Sequence, residues 1–469
     1  MNQGAAVTNT WSKTVRGLVF AIALLAAAIL GLRASRLWLI LLFAGSGALA
    51  LVLRPQLGPI GLIAAALVLN LEFSTGTEVQ LNPATLLVPM LGMIWIVDTV
   101  LRRRDLRWAT ARANRPLALF LLTGLLSLLL GNVLWDPAIP KSGNFWLVQF
   151  AQWAIFVFAA LAFWLMANLR DSAIWLPRVA WAFLILGGCL AILWLLPGIG
   201  SAVRRFTTVT LIRAPFWTLL TALSAGQLFF NRDLKHGQQL FLVGLLVAAL
   251  VYALVEQRKA VSNWVGIAAV LGTLVWLRAP KLRGPIVVMV VILALSGILF
   301  TGLYEFAGGE DEWLSTGGSR LVLIARVVEV TLRNPITGLG PASYRLYAGA
   351  EPLRYQRALW IHPRVNSHNN YVDLFAHTGL LGLGLFLWFS VELSKLGWRL
   401  STYHREGFIA GYANGMLAAW VGSLVLMMLA DWILPFVYNI GFGGFQASLL
   451  VWLFLGGLVA VDHMDRTEQ

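Results

Sequence analysis

His368 sits in the run Ser367-His368-Asn369-Asn370-Tyr371, where a polar stretch gives way to a long apolar one. An imidazole titrates near neutrality and can take a proton from a sugar hydroxyl. Asn369, Asn370 and Tyr371 add hydrogen-bonding groups that would orient the histidine or a sugar beside it. Arg320 precedes this run, and Arg204, Arg205 and Arg213 cluster around an earlier turn. Guanidinium forks suit the oxygens of a diphosphate, and the N-terminus of the helix that follows His368 would add backbone N–H groups that favour an anion. Histidine at a helix mouth with several arginines is a group-transfer constellation for a lipid diphosphate.

Rival chemistries lack their residues. There is no Gly-x-x-x-x-Gly-Lys-Ser/Thr loop and no Gly-x-Gly-x-x-Gly after a strand, so a nucleotide-driven pump is not expected. Glu310, Asp311 and Glu312 form an acidic cluster read as a solvated loop. His362, His368 and His377 lack zinc-ligand spacing with carboxylates, so no metal and no cofactor is expected. The single cysteine, Cys189, lies in an apolar run and rules out an intramolecular disulfide.

The elements that must position these residues are membrane helices. Of 469 residues, 59% are hydrophobic and 12% charged, with a mean hydropathy of +0.77. A soluble domain carries about 25% charged residues, roughly twice as many. The 21 tryptophans suit membrane-interface anchoring. The formal charge of +14 is read as basic cytoplasmic loops, not as a nucleic-acid surface.

A bilayer core takes about 20 apolar residues per helix. Apolar stretches near 17–32, 37–53, 57–73, 84–101, 117–134, 146–168, 174–197, 212–231, 239–255, 261–277, 285–303, 371–393, 408–433 and 442–461 predict an all-α polytopic membrane protein with 12 to 14 transmembrane helices. The first apolar run, from Leu18, is followed by Arg33 and Arg36 and not by a small-residue cleavage site, so it is read as the first span.

Loop charge then orients the chain. Arg102, Arg103, Arg104, Arg107, Arg112 and Arg115 mark a cytoplasmic loop, and Arg170, Arg232, Lys235, Lys281, Arg283, Lys395, Arg399 and Arg405 fall on the same side by alternation. The opposite face receives the acidic loop around Glu72 and Glu78, the turn Gly198 to Phe206, and the long insert from Tyr304 to Asn370. Arg204, Arg205, Arg213 and Arg320 therefore stand against the positive-inside tendency, and topology does not explain them.

Three regions are expected: an N-terminal transmembrane bundle (1–303), a periplasmic loop subdomain with the active site (304–370) and C-terminal transmembrane helices (371–469). Within the insert, Ser319 predicts the cap of an interfacial helix starting at Arg320, ended by Asn334-Pro335. Gly338-Leu339-Gly340-Pro341 predicts a tight turn, and residues 353–364 are basic and aromatic.

His368-Asn369, nine intervening residues and then Gly379-Leu380-Leu381-Gly382 resemble the His-[Asn/Ser/Gln]-x9-Gly-x-x-Gly pattern of bacterial O-antigen ligases. Arg320 followed by Asn334 to Gly340 is similar to the stretch leading into that histidine in the wider ligase and polymerase superfamily. The resemblance implies a C-type glycosyltransferase-like fold with one large periplasmic loop in the bacterial inner membrane. It also implies an undecaprenyl-diphosphate-linked glycan donor, a sugar hydroxyl of lipid A core or another glycan as acceptor, and inverting transfer without metal. His368 and Arg320 match the family's catalytic positions. Its second diphosphate arginine falls on Arg205 or Arg213, because Ala214-Pro215-Phe216 stands where the family pattern has asparagines. A polymerase acting on a second lipid-linked glycan, and a lipid-linked glycan flippase, are the alternatives.

Overall fold

The computed structural model describes residues 45, 47, 50–103, 108–296, 318–350, 353–355, 358–360 and 365–468. The chain divides into two units, Met1–Leu57 and Gly58–Gln469. In the first, Arg54 N–H donates to Ala50 O (2.9 Å) and Pro55–Leu57 forms a single 3-10 turn. The second unit carries the remaining described elements. The expected span at 17–32, the acidic cluster Glu310 to Glu312 and His362 lie outside the described residues.

In order, the helices of the second unit are α1 (Gly58–Val68), α2 (Pro83–Val97), α3 (Asn114–Val133), α4 (Phe145–Ala167), α5 (Ser172–Leu195), α6 (Ile199–Phe206), α7 (Ala214–Phe230), α8 (His236–Val251), α9 (Val261–Arg278), α10 (Arg283–Leu295), α11 (Gly318–Thr331), α12 (Tyr344–Gly349), α13 (Asn370–Tyr403), α14 (Gly407–Leu429) and α15 (Gly441–Glu468). Two antiparallel hairpins interrupt them, β1 (Phe73–Ser74) with β2 (Gln80–Leu81) and β3 (Leu353–Tyr355) with β4 (Ala358–Trp360). Among the described residues nine helices are long and apolar enough to cross a membrane: α2, α3, α4, α5, α8, α9, α13, α14 and α15. The protein is an all-α, multi-pass membrane protein.

Local chemistry sets the boundaries. Asn82 caps α2: its Oδ1 accepts the Thr85 N–H (3.0 Å), while Thr85 Oγ1 accepts the Asn82 N–H (3.2 Å). The amide of Asn82 then donates to Phe442 O on α15 (2.7 Å), which pins one end of α2 to the bundle centre. The apolar stretch expected at 57–73 stays helical only to Val68, and the chain then turns into β1 and β2.

The most apolar window of α15 is 100% buried, against 28% for α9, so α15 is the central helix of this unit and α9 a peripheral one. Helices cross closely where side chains are absent. A Cβ on Gly226 of α7 would sit 2.5 Å from Gly411 O and 2.8 Å from Gly415 Cα of α14. In a membrane, where lipid is as apolar as leucine, such backbone approach is a main source of helix–helix affinity.

One break matters for the site. Gly379 has φ 68° and ψ −171°, so α13 is two helical pieces joined at a kink. The segment Asn334 to Pro341 docks against that kink and takes up the backbone groups it frees. Leu380 N–H donates to Pro335 O (2.9 Å), Leu381 N–H to Ile336 O (3.1 Å), and Leu339 N–H to Ala376 O (2.9 Å). Ser127 Oγ donates to His377 O (2.5 Å). Irregular backbone at membrane depth is tolerated where protein satisfies it, as here.

Candidate active site

The site is built around the segment Ala430 to Ile440 between α14 and α15, together with the last turn of α14. That turn ends in carbonyls without intrahelical partners and at the negative end of the helix dipole. Arg320 Nη1 donates to Leu429 O (3.0 Å), Asn369 Nδ2 to Met428 O (2.9 Å), and Tyr371 Oη to Leu424 O (3.0 Å). The end of α14 thus gathers three residues singled out from sequence, drawn from α11, from the His368 turn and from α13.

His368 occupies the left-handed region, φ 49°. A non-glycine residue there is held against a cost of roughly 1–3 kcal/mol, and the holding contacts are identifiable. Asn366 Oδ1 accepts the His368 N–H (3.2 Å). Ser367 Oγ accepts the Asn369 N–H (3.0 Å) and donates to Asp373 Oδ1 (2.7 Å). Tyr344 Oη, fully buried, donates to the same Asp373 oxygen (2.8 Å). Burial, with Asp373 close by, pushes the Tyr344 phenol well above its ordinary range, so it remains a donor.

The imidazole of His368 is half-buried. Burial first, and the nearby Arg320 charge second, push it down to about 4. At neutral pH it is therefore uncharged, with a ring nitrogen free to accept a proton. The same electrostatic effect puts His368 and Arg320 in each other's field.

The helix mouth differs from the expectation. Asn369 is the N-cap of α13, and its Oδ1 accepts the N–H groups of Tyr371 (2.9 Å) and Val372 (3.2 Å). Donors that sequence reasoning reserved for an anion are already engaged by this cap. Asn370 is buried, and its amide is engaged with the 430–440 segment: Nδ2 donates to Leu434 O (2.7 Å), while Oδ1 accepts the N–H groups of Ile433 (3.1 Å) and Leu434 (3.2 Å). The cap expected at Ser319 is also displaced, since α11 already begins at Gly318. Its buried face is Leu323, Val327 and Val330.

The arginines separate into two groups. Arg213, at the N-cap of α7, lies over Trp432 (5.4 Å from guanidinium carbon to ring centre) and interacts with Asp431. Burial lowers its pKa and Asp431 opposes that shift. Arg213 Nε and Trp432 Nε1 are both buried donors with no hydrogen-bond partner among the described residues. Asp431 folds its own segment, accepting the Phe436 N–H (2.9 Å) and an Asn439 Nδ2 hydrogen (2.7 Å), and burial pushes its carboxyl up to about 6. Arg205 is elsewhere: it is exposed near the end of α6, a short helix where the sequence suggested only a turn, and Arg204 beside it stacks on Trp194 at 4.5 Å.

Sequence reasoning missed four neighbours. Arg345 on α12 stacks over Tyr438 (4.5 Å) and approaches Tyr438 O (3.4 Å), adding a second arginine to the 430–440 segment beside Arg213. Asp373, Tyr344 and Asp431 are buried, and Asp373 joins Tyr344 to the His368 turn through Ser367. A lone Asp431 inside an apolar stretch was the available signal.

The motif glycines have steric reasons. A Cβ on Gly379 would lie 2.1 Å from Ile336 O, and one on Gly382 would lie 2.0 Å from Thr378 Oγ1.

A family model described as O-antigen ligase matches residues 244–387. The match takes in Arg320, His368, Gly379 and Gly382, and leaves Arg205 and Arg213 outside it. Among curated proteins, none matches this chain.

Proposed function

We propose, from the match of residues 244–387 to the O-antigen ligase family model, that the chain transfers a glycan from undecaprenyl diphosphate to a sugar hydroxyl of lipid A core, at the periplasmic face of the bacterial inner membrane. The observation that carries this reading is the pairing of a neutral, conformationally held His368 with Arg320 at the end of α14. The buried donors of Arg213, at the start of α7, and of Trp432, on the adjoining segment, support it, because two N–H groups without acceptors among the described residues suit an oxyanion.

In the proposed reaction His368 accepts the proton of the acceptor hydroxyl as its oxygen attacks the anomeric carbon. The bond from that carbon to the diphosphate breaks, and configuration inverts. The leaving diphosphate departs with the electron pair, its charge neutralised by Arg320 and Arg213. Arg213 is favoured over Arg205 because it shares the 430–440 segment with the His368 turn, whereas Arg205 stands on an exposed helix. Asn369 acts through His368 by holding its turn, and Asn370 and Tyr371 act by tying α13 to α14 and the 430–440 segment.

The test incubates the purified protein with an undecaprenyl-diphosphate-linked glycan and lipid A core. Glycan-capped lipid A core and released undecaprenyl diphosphate are expected. Laddered extension on the lipid carrier, with no capped core, would replace the ligase reading with the polymerase one.

A further inference from the structure

The end of α13 far from His368 carries a second polar cluster, which the proposed transfer does not use. A cavity of about 300 Å³ is walled by Arg112 ahead of α3, by Glu392, Lys395 and Arg399 on α13, and by Asp462 and Arg466 on α15. The α13 residues are spaced i, i+3 and i+7, so they share one helix face. At ~1.5 Å per residue, Leu380 to Arg399 covers roughly 30 Å, a bilayer core away from the His368 turn.

Charge in this cavity does not balance. Asp462, only 5% exposed at its side chain, is held between Arg399 and Arg466, the latter at 2.8 Å. Lys395 pairs with Glu392 at 3.1 Å. Arg112 makes no ion pair among the described residues. Four cations against two carboxylates leave a net charge of +2 on one concave surface. Because Asp462 fixes two of the guanidinium groups, little ordering remains to be done when an anion arrives.

The depth of the cluster identifies the source of that anion. Trp388 and Trp398 are exposed on α13 on either side of Lys395, with Arg115 5.9 Å from the Trp388 ring and Arg283 5.9 Å from the Trp398 ring. Exposed tryptophans next to cations mark the lipid–water boundary. A basic cavity between transmembrane helices at that level takes a lipid headgroup in preference to a dilute soluble anion, because the membrane delivers the headgroup at high local concentration.

We propose that this cavity binds the phosphate headgroup of an anionic phospholipid. The inference does not depend on the catalytic reading. The full-length protein is purified in detergent with equal amounts of phosphatidylglycerol and phosphatidylcholine, and retained lipid is counted by native mass spectrometry. Retention of phosphatidylglycerol over phosphatidylcholine is expected. Each cation removed should weaken it roughly fivefold, so R112Q/R466Q loses roughly 25-fold.

Arg399 is kept in that variant so that Asp462 retains a partner, and R112Q alone serves as a second variant because Arg112 is exposed and outside any described ion pair. R232Q, an exposed cation outside the cavity, is expected to retain lipid like the wild type. Equal retention of the two lipids overturns the proposal, as does unchanged retention in R112Q and R112Q/R466Q. Complete displacement of the lipid by millimolar inorganic phosphate would also overturn it, since the site would then serve a free anion.

Discussion

At its Asn370 end the polar contacts of α13 are made by side chains that see almost no solvent, whereas towards its Tyr403 end, where Leu393, Leu396 and Leu400 are buried, its polar contacts are made by Lys395 and Arg399, whose side chains stand largely in solvent. Asn370, Asp373, Ser367 and Tyr344 are all buried, each with hydrogen bonds to a different segment. Lys395 and Arg399 have side chains 66% and 55% exposed. Leaving a buried polar group without its partner costs about 1–3 kcal/mol, while an exposed pair contributes about 0–1. Only the first kind of contact can hold a histidine at positive φ. The contrast predicts large effects near the kink and the turn, and small ones where charges stand in water.

The largest effect should come from Gly379→Ala. The substitution strains a left-handed backbone and drives a methyl onto Ile336 O, which cannot yield because its segment is bonded into the kink. A loss of at least ~3 kcal/mol is expected, read as a fall in thermal midpoint in detergent. Gly384→Ala lies in the same helix with nothing within 4 Å of its Cβ, and should be neutral or slightly stabilising. Equal behaviour of the two would mean that the kink is not held as described.

Next in size is the reaction itself. His368→Ala should lower turnover by roughly 10²–10⁴-fold while donor binding persists. Protonated His368 cannot accept a proton, so kcat/KM should stay level from neutral pH downward and fall only as pH drops through about 4. The acid limb of kcat should lie higher, because a bound diphosphate beside Arg320 stabilises the imidazolium. A well-folded His368→Ala protein with most of its turnover would reduce the histidine to a structural part.

Arg213→Ala and Arg205→Ala sharpen the comparison within one face. Arg213 should resemble Arg320 in losing both turnover and donor affinity, since the diphosphate is charged in ground and transition states alike. Arg213→Lys should restore part of the activity, keeping charge but not the fork. Arg205→Ala should stay within about twofold of wild type, as expected for a solvated cation. Reversed outcomes would move the second diphosphate contact to α6.

Much of this architecture is legible from hydropathy, because runs of about 20 apolar residues have few alternatives to helices that satisfy their own backbone. The helices near 117–134, 146–168 and 174–197 appear within a few residues of those stretches. The kink is not legible in that way: reversing φ at Gly379 changes no residue's hydropathy, so 371–393 reads as one continuous helix. His368 and Arg320 stand out because polar groups are scarce around them. Arg345 and Tyr344 do not, because their importance comes from the 430–440 segment folding back between them and α15. Asp431 is legible in the same way as His368, as a lone acid inside the apolar stretch 408–433, although hydropathy alone assigns it to a spanning helix.

The smallest effect should come from the pair between Arg232 and Glu406, and it tests the solvated side of the comparison. The pair is close, 2.8 Å, but its side chains are 68% and 55% exposed. Single substitutions mislead here, because Glu406 directly precedes Gly407, which has φ 87°, and the N-terminus of α14. Replacing the glutamate perturbs that start whether or not the ion pair matters. A double-mutant cycle with Arg232→Ala and Glu406→Ala removes that contribution and isolates the pairwise energy. Water and salt screen both charges, and two long side chains lose rotamer freedom on meeting. The coupling should be below about 0.5 kcal/mol at physiological ionic strength and smaller still at 1 M salt. A coupling above about 1.5 kcal/mol that survives high salt would show that this surface is far less solvated than its exposure indicates, and the division drawn between the two ends of α13 would need a different physical basis.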